Sequence, residues 1–172
     1  MVGLLINNLQ DCDVAMSISE KDLFDARTAW GNGLIEISKT FETDGIEMAT
    51  LIASDMIDNL YGFNFGEVLF KPTLSGGSQT FRTTKEGALS YFVGHNPAYP
   101  NDSGFGIKFW REINSDTSAI FIDNTVAMWM GWVTFIDRNG QVTKVDKSWG
   151  YKLDDVGNLK ITLHHSSLPY EL

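Results

Sequence analysis

A single cysteine, Cys12, excludes an internal disulfide and supplies at most one thiolate, so neither a disulfide scaffold nor a cysteine-rich zinc site is available. Basic residues are scarce as well, with 13 Lys and Arg against 22 Asp and Glu and a formal charge of −9. Without a Lys/Arg cluster the chain lacks the basic footprint that gains energy by releasing counterions from nucleic acid or an anionic membrane, and neither partner is expected. Long hydrophobic runs are missing too. Met1 to Ile6 is apolar but too short for a signal-peptide core, lacks a basic start and runs into Asn7, Asn8, Asp11 and Asp13. The sequence therefore reads as cytoplasmic, with plastid or periplasm as the alternatives if a leader had been removed. No repeat, low-complexity tract or membrane span is evident, and Gly76-Gly77 lacks the Lys-Ser/Thr context of a phosphate-binding loop.

With 172 residues, 43% of them apolar, the chain is long enough for one ordinary core. Residues 1–18 read as an N-terminal extension and 19–172 as a single domain. Ser19 followed by Glu20, Lys21 and Asp22 is a helix start, and Leu23, Phe24, Ala26, Trp30, Leu34 and Ile37 are spaced as one buried stripe up to about Phe41. Gly31 and Gly33 weaken this helix by roughly 1 kcal/mol each relative to alanine, which points to a kink or a close neighbour. Thr43-Asp44-Gly45 separates it from a second helix with Ile46, Met48, Ala49, Ile52, Met56, Ile57 and Leu60. Val68 to Thr73 reads as a proline-terminated edge strand, and Thr83 or Thr84 caps a third helix that ends at Gly94.

After the surface loop His95 to Gly104 the periodicity becomes that of strands. Phe105–Ile113, Ser118–Asp123, Thr125–Asp137, Gln141–Leu153 and Leu159–Ser166 are expected as strands, joined by turns at Asn114-Ser115-Asp116, Arg138-Asn139-Gly140 and Asp154–Asn158. Helices first and an antiparallel meander afterwards define an α+β fold. Val126 to Ile136 is apolar on both faces, with Met128, Met130 and Trp132 on one side and Ala127, Trp129, Val133 and Phe135 on the other. The helices cover one face, and a second copy of the sheet is the expected cover for the other, making a homodimer. Trp110, Trp129, Trp132 and Trp149 alternate with aliphatics and read as core and dimer packing.

The last strand ends in His164-His165-Ser166-Ser167, where a buried strand reaches its rim and polar groups must find partners or a ligand. Alternation places Thr162, His164 and Ser166 on one face and Leu163, His165 and Ser167 on the other, unless a bulge intervenes. The adjacent histidines point apart and His95 lies in a distant loop, so no metal-ligand spacing exists among the three histidines and no metal or other cofactor is expected. On their residues alone the two histidines could merely cap a sheet edge, Tyr91 could be core and Thr73 could simply end a strand.

The terminal His164-His165-Ser166-Ser167 resembles the signature of iota-class carbonic anhydrases, which are related to the calcium/calmodulin-dependent kinase association domain. The helices and long curved sheet resemble the cone-shaped nuclear transport factor 2-like fold. Thr73 in Lys71-Pro72-Thr73, Tyr91 in Leu89-Ser90-Tyr91-Phe92-Val93-Gly94, and Ser166 match that class's pocket groups, at separations of 18 and 75 residues. Leu163 stands where some members carry a third histidine linked to a possible metal, so the metal-free branch is the nearer likeness. The resemblance implies reversible hydration of carbon dioxide to bicarbonate in a small apolar pocket, with the three hydroxyls on the substrate oxygens and with His165 and Ser167 supporting the rim. Tyr91 is then an orienting group or the base, and His164 a candidate proton shuttle. Two other readings remain: a non-enzymatic association module binding a small ligand or partner, and an isomerase or dehydratase, which would need a pocket carboxylate.

Overall fold

A computed structural model describes residues 16–170. Helix α1 (Glu20–Leu60) starts on a capping box, with Ser19 accepting from the Asp22 amide and Asp22 reaching back to the Ser19 amide. Gly45, at φ 82° and ψ −171°, breaks its helical path, so the two expected helices meet at a kink one turn later than Phe41. The two halves fold close together. A methyl group at Gly33 would stand 2.8 Å from the Met56 sulfur, so the glycine permits a close neighbour rather than a bend of its own. The buried stripe is Leu23, Arg27, Trp30, Leu34 and Ile37, while Phe24 is exposed. Phe24 lies about 100° around the helix from that line. Arg27 takes the inward place with its guanidinium 4.7 Å from the Trp129 ring and one arm on the Leu23 carbonyl.

Helix α2 (Lys85–Val93) begins at Thr84, whose hydroxyl accepts from the Gly87 amide, and stops at Gly94 in the left-handed region. Strands β1 (Leu69–Lys71), β2 (Trp110–Asp123), β3 (Val126–Asp137), β4 (Val142–Leu153) and β5 (Leu159–Ser167) form one sheet in the order β1-β5-β4-β3-β2. The last four are the antiparallel meander, and β1 joins the outer edge of β5 in parallel. Helices packed on this curved sheet make the α+β cone.

Two expected elements are corrected. Phe105–Ile107 is a short 3-10 turn, and the strand begins at Trp110, whose indole donates to the Phe105 carbonyl. Asn114-Ser115-Asp116 is no turn, because these residues pair with Thr134, Val133 and Trp132 inside the continuous β2. A register shift between Thr117 and Ala119 supplies the bend instead. Opposite it lies Gly131, where a Cβ would fall 2.0 Å from the Asp116 carbonyl oxygen, so the crowded bend admits only glycine. Among the described residues no helix is long and apolar enough to cross a membrane.

Candidate active site

The parallel pairing of β1 with β5 builds the site. It sets Phe70 beside His164 and brings the turn after β1 to the end of β5. Pro72 ends the strand, and the next residue, Thr73, is buried with its hydroxyl 2.7 Å from the hydroxyl of Ser166. Tyr91 reaches the same place from the buried face of α2, its ring stacked on Phe105 at 5.5 Å and edge-on to Phe70 at 5.7 Å. The Thr73 side chain and the Thr73 and Leu74 backbone lie near enough to its hydroxyl to ease ionisation. Yet Tyr91 Oη has no well-formed hydrogen bond among the described residues. The structure thus gathers the three hydroxyls named from the sequence.

Proton counting shows what this cluster offers. One of Thr73 and Ser166 donates to the other, which leaves the acceptor's own proton free, and Tyr91 Oη–H is a second free donor. Two donors on a buried, aromatic-walled surface suit an oxygen that is gaining negative charge. Burial pushes the Tyr91 phenol above its ordinary range, overriding the nearby Thr73 and Leu74 groups. At neutral pH it is a protonated donor and not a base. A narrow cavity of about 20 Å³ lies against Tyr91, lined also by Leu74, Asp102, Gly104, Phe105 and Lys108. That is room for roughly one water.

A register shift opposite Gly150 and Tyr151 interrupts the alternation of β5 just before the motif, so Ile161 and His164 both face inward, and from His164 to Ser167 the alternation then runs unbroken. His164 and Ser166 are buried on the inner face, whereas His165 is exposed and Ser167 donates to Asp146 on the outer side. His164 is sealed in the core, 1% exposed, with its ring stacked on Phe70 at 4.5 Å. Nδ1 lies 2.9 Å from Tyr61 Oη and Nε2 lies 2.8 Å from Lys147 Nζ. Desolvation first, then the positive charge of Lys147, hold its pKa well below the usual histidine value. Both ring nitrogens of His164 are thus engaged inside the core, between Tyr61 and Lys147 and away from solvent.

Lys147, Tyr61 and Trp30 were not foreseen as part of this site. Lys147 is buried on the inner face of β4, directly across from Ser166, and its amine stands 4.7 Å from the Trp30 ring and 5.3 Å from that of Trp149. Trp30 Nε1 donates to Tyr61 Oη at 2.9 Å. The available signal was the alternation Val145, Lys147, Trp149, which puts a lysine on an apolar face. A buried carboxylate also lies close by. Asp102 pairs with Arg82 at 2.6 Å and accepts from Ser90 at 2.7 Å, so both its oxygens are occupied and it offers no base for isomerase or dehydratase chemistry. Among the described residues no three His, Cys, Asp or Glu side chains gather as a metal site.

Helices closing a curved mixed sheet over a cluster of hydroxyls define a nuclear transport factor 2-like α+β cone. A putative calcium/calmodulin-dependent protein kinase II association domain from Xanthomonas campestris shares this fold, with a TM-score of 0.52 and 21% identity, over 88% of this chain and 86% of that one. More specifically, the chain belongs to the family of metal-independent carbonic anhydrases, whose model matches residues 21–168. It is 47% identical over 158 residues to the metal-independent carbonic anhydrase of Nostoc sp., which covers 92% of this chain and 77% of the relative. It also superposes with a TM-score of 0.90, at 47% identity, on the crystal structure of a cyanobacterial iota-carbonic anhydrase complexed with bicarbonate, over 91% of this chain and 95% of that one.

Proposed function

We propose that this chain hydrates carbon dioxide reversibly to bicarbonate, without a metal, at the cluster of Thr73, Tyr91 and Ser166. The observation that carries the reading is the unpartnered, buried Tyr91 hydroxyl beside the hydrogen-bonded Thr73–Ser166 pair. Carbon dioxide is apolar and suits the aromatic surroundings of Tyr91, whose ring packs on Phe70, Phe92 and Phe105. As water attacks, charge builds on the substrate oxygens, and the two free hydroxyl protons stabilise it where little water competes. Bicarbonate diffused into crystals should bind with its oxygens within hydrogen-bond distance of all three hydroxyls. Density for bicarbonate elsewhere, with this cluster unchanged, contradicts the assignment.

A homodimer packed through the outer sheet face belongs to the same reading. Its support is the exposed row Phe121, Val126, Met128 and Met130, over a groove of about 360 Å³ between β2, β3 and β4. Sedimentation should show a dimer that Met130→Asp dissociates, and a folded wild-type monomer at micromolar concentration refutes it. We place the protein in the cytoplasm, on the support of its lone cysteine.

A further inference from the structure

Hydration releases a proton, and the hydroxyl cluster has no group to take it. Tyr91 stays protonated, and neither ring nitrogen of His164 is free. The inner face holds one more ionisable group at the right place, the amine of Lys147, set opposite Ser166 in the β4–β5 register. Building on the carbonic anhydrase reading, we propose that Lys147 is the proton acceptor of the hydration step, held as an uncharged amine by His164, Tyr61 and Trp30.

The hydrogen-bond chain decides the charge. Tyr61 Oη accepts from Trp30 Nε1, and the acceptor that the described residues offer its own proton is His164 Nδ1. The single proton of the neutral imidazole then sits on Nε2 and points at Lys147 Nζ, 2.8 Å away, where it needs the lone pair of a neutral amine. An ammonium at Lys147 reverses the chain. It donates to Nε2, Nδ1–H donates to Tyr61, and the Tyr61 proton is left without an acceptor. That loss is offset by the Trp30, Trp149 and Phe135 rings, whose faces attract a cation at 4.7, 5.3 and 5.7 Å. Both forms therefore have a place, which is what a base that turns over requires.

The charged neighbours oppose one another. His164 faces the amine from β5 and Lys71 stands on β1 with its own amine on the Ser166 carbonyl, while Asp146 is the acidic contributor and its carboxylate accepts from Ser167 on the outer side. α1 and β3 present rings. Burial, with Lys71 adding to it against Asp146, brings the Lys147 pKa down to about 7. In the step itself the water oxygen bonds to carbon, a C=O electron pair moves to oxygen, and the water proton passes to Nζ. Carbon dioxide, water and amine become bicarbonate and ammonium, a neutral pair of opposite charges, and the ammonium then passes its proton to the water that replaces bicarbonate at the hydroxyl cluster.

The test compares wild type, Lys147→Met and Lys147→Arg by stopped-flow hydration across pH. Lys147→Met should lower kcat about 100-fold, the scale of a positioned base, and should lack the fall in rate expected of the wild type below about pH 7. Lys147→Arg should be equally slow, because a guanidinium keeps its proton. A second readout is independent of turnover. The unfolded chain carries a proton on this amine that the folded chain has released, so wild-type stability should rise between about pH 7 and pH 10, and the rise should be smaller in Lys147→Met. Full activity in Lys147→Arg, or unchanged rate and pH profile in folded Lys147→Met, overturns the proposal while leaving the carbonic anhydrase reading intact. A wild type that never exceeds the buffer rate overturns both.

Discussion

Ser166→Ala, Thr73→Val and Tyr91→Phe should each lower carbon dioxide hydration by about tenfold or more while leaving the circular dichroism spectrum unchanged. Each removes either a donor to the charge that develops as water attacks or the hydroxyl that orients such a donor, and such donors are worth about 2–4 kcal/mol in a dry site. None removes a large apolar contact. Ser166→Ala also strips Thr73 of its 2.7 Å partner, so the remaining hydroxyl is free to turn away from the substrate. The Ser166 and Thr73 losses should therefore overlap, and the double variant should be little slower than the worse single one. Tyr91→Phe is the more independent loss, since its hydroxyl has no well-formed hydrogen bond to Thr73 or Ser166. If Tyr91→Phe and Ser166→Ala are both folded and both fully active, the hydroxyl cluster is not the site.

Asp102→Ala should destabilise the protein by about 3–5 kcal/mol, the usual cost of stranding one member of a buried ion pair. The pair is deep, with Arg82 and Asp102 side chains 2% and 5% exposed. Asp102 also fixes Ser90 on α2, and Arg82 stacks on Tyr99 at 4.7 Å, so this one carboxylate ties the 95–104 loop to the helix that carries Tyr91. Chemical unfolding should show a lower midpoint at an unchanged slope. A midpoint equal to wild type means that the loop is held by its backbone contacts instead.

The helices and the meander were legible because local chemistry and tertiary packing agree. Ser19, Thr84, Gly45 and Gly94 all do what their residue types favour. Asn114-Ser115-Asp116 was misread for the converse reason. Those residues favour turns in isolation, but in β2 the Asn114 and Asp116 side chains meet solvent and Ser115 accepts from Arg27, while their backbones pair with β3, and pairing prevails. Phe24 was misplaced on a helix whose inward position goes to a cation, Arg27, because Trp129 offers it a ring face.

For the site, strand alternation grouped His164 with Ser166, whereas the choice of that pair as the inward one, like the choice of Thr73 and Tyr91, came from family resemblance. Nothing local ties residues 73, 91 and 166 together. They meet because β1 returns parallel to β5, a pairing that a three-residue strand does not announce. Lys147 escaped notice for a different reason. A lysine in a strand ordinarily faces water, and the counts of charge and hydropathy do not reveal that its neighbours Val145 and Trp149 turn this one inward.

Hydration measured on protein stripped by exhaustive chelation, with metal content determined on the same sample, tests the central claim most directly. The rate should stay well above that of the buffer and match untreated protein, at a metal content far below one equivalent per chain. A stoichiometric metal whose removal abolishes turnover, and whose return restores it, would contradict the metal-free hydroxyl site.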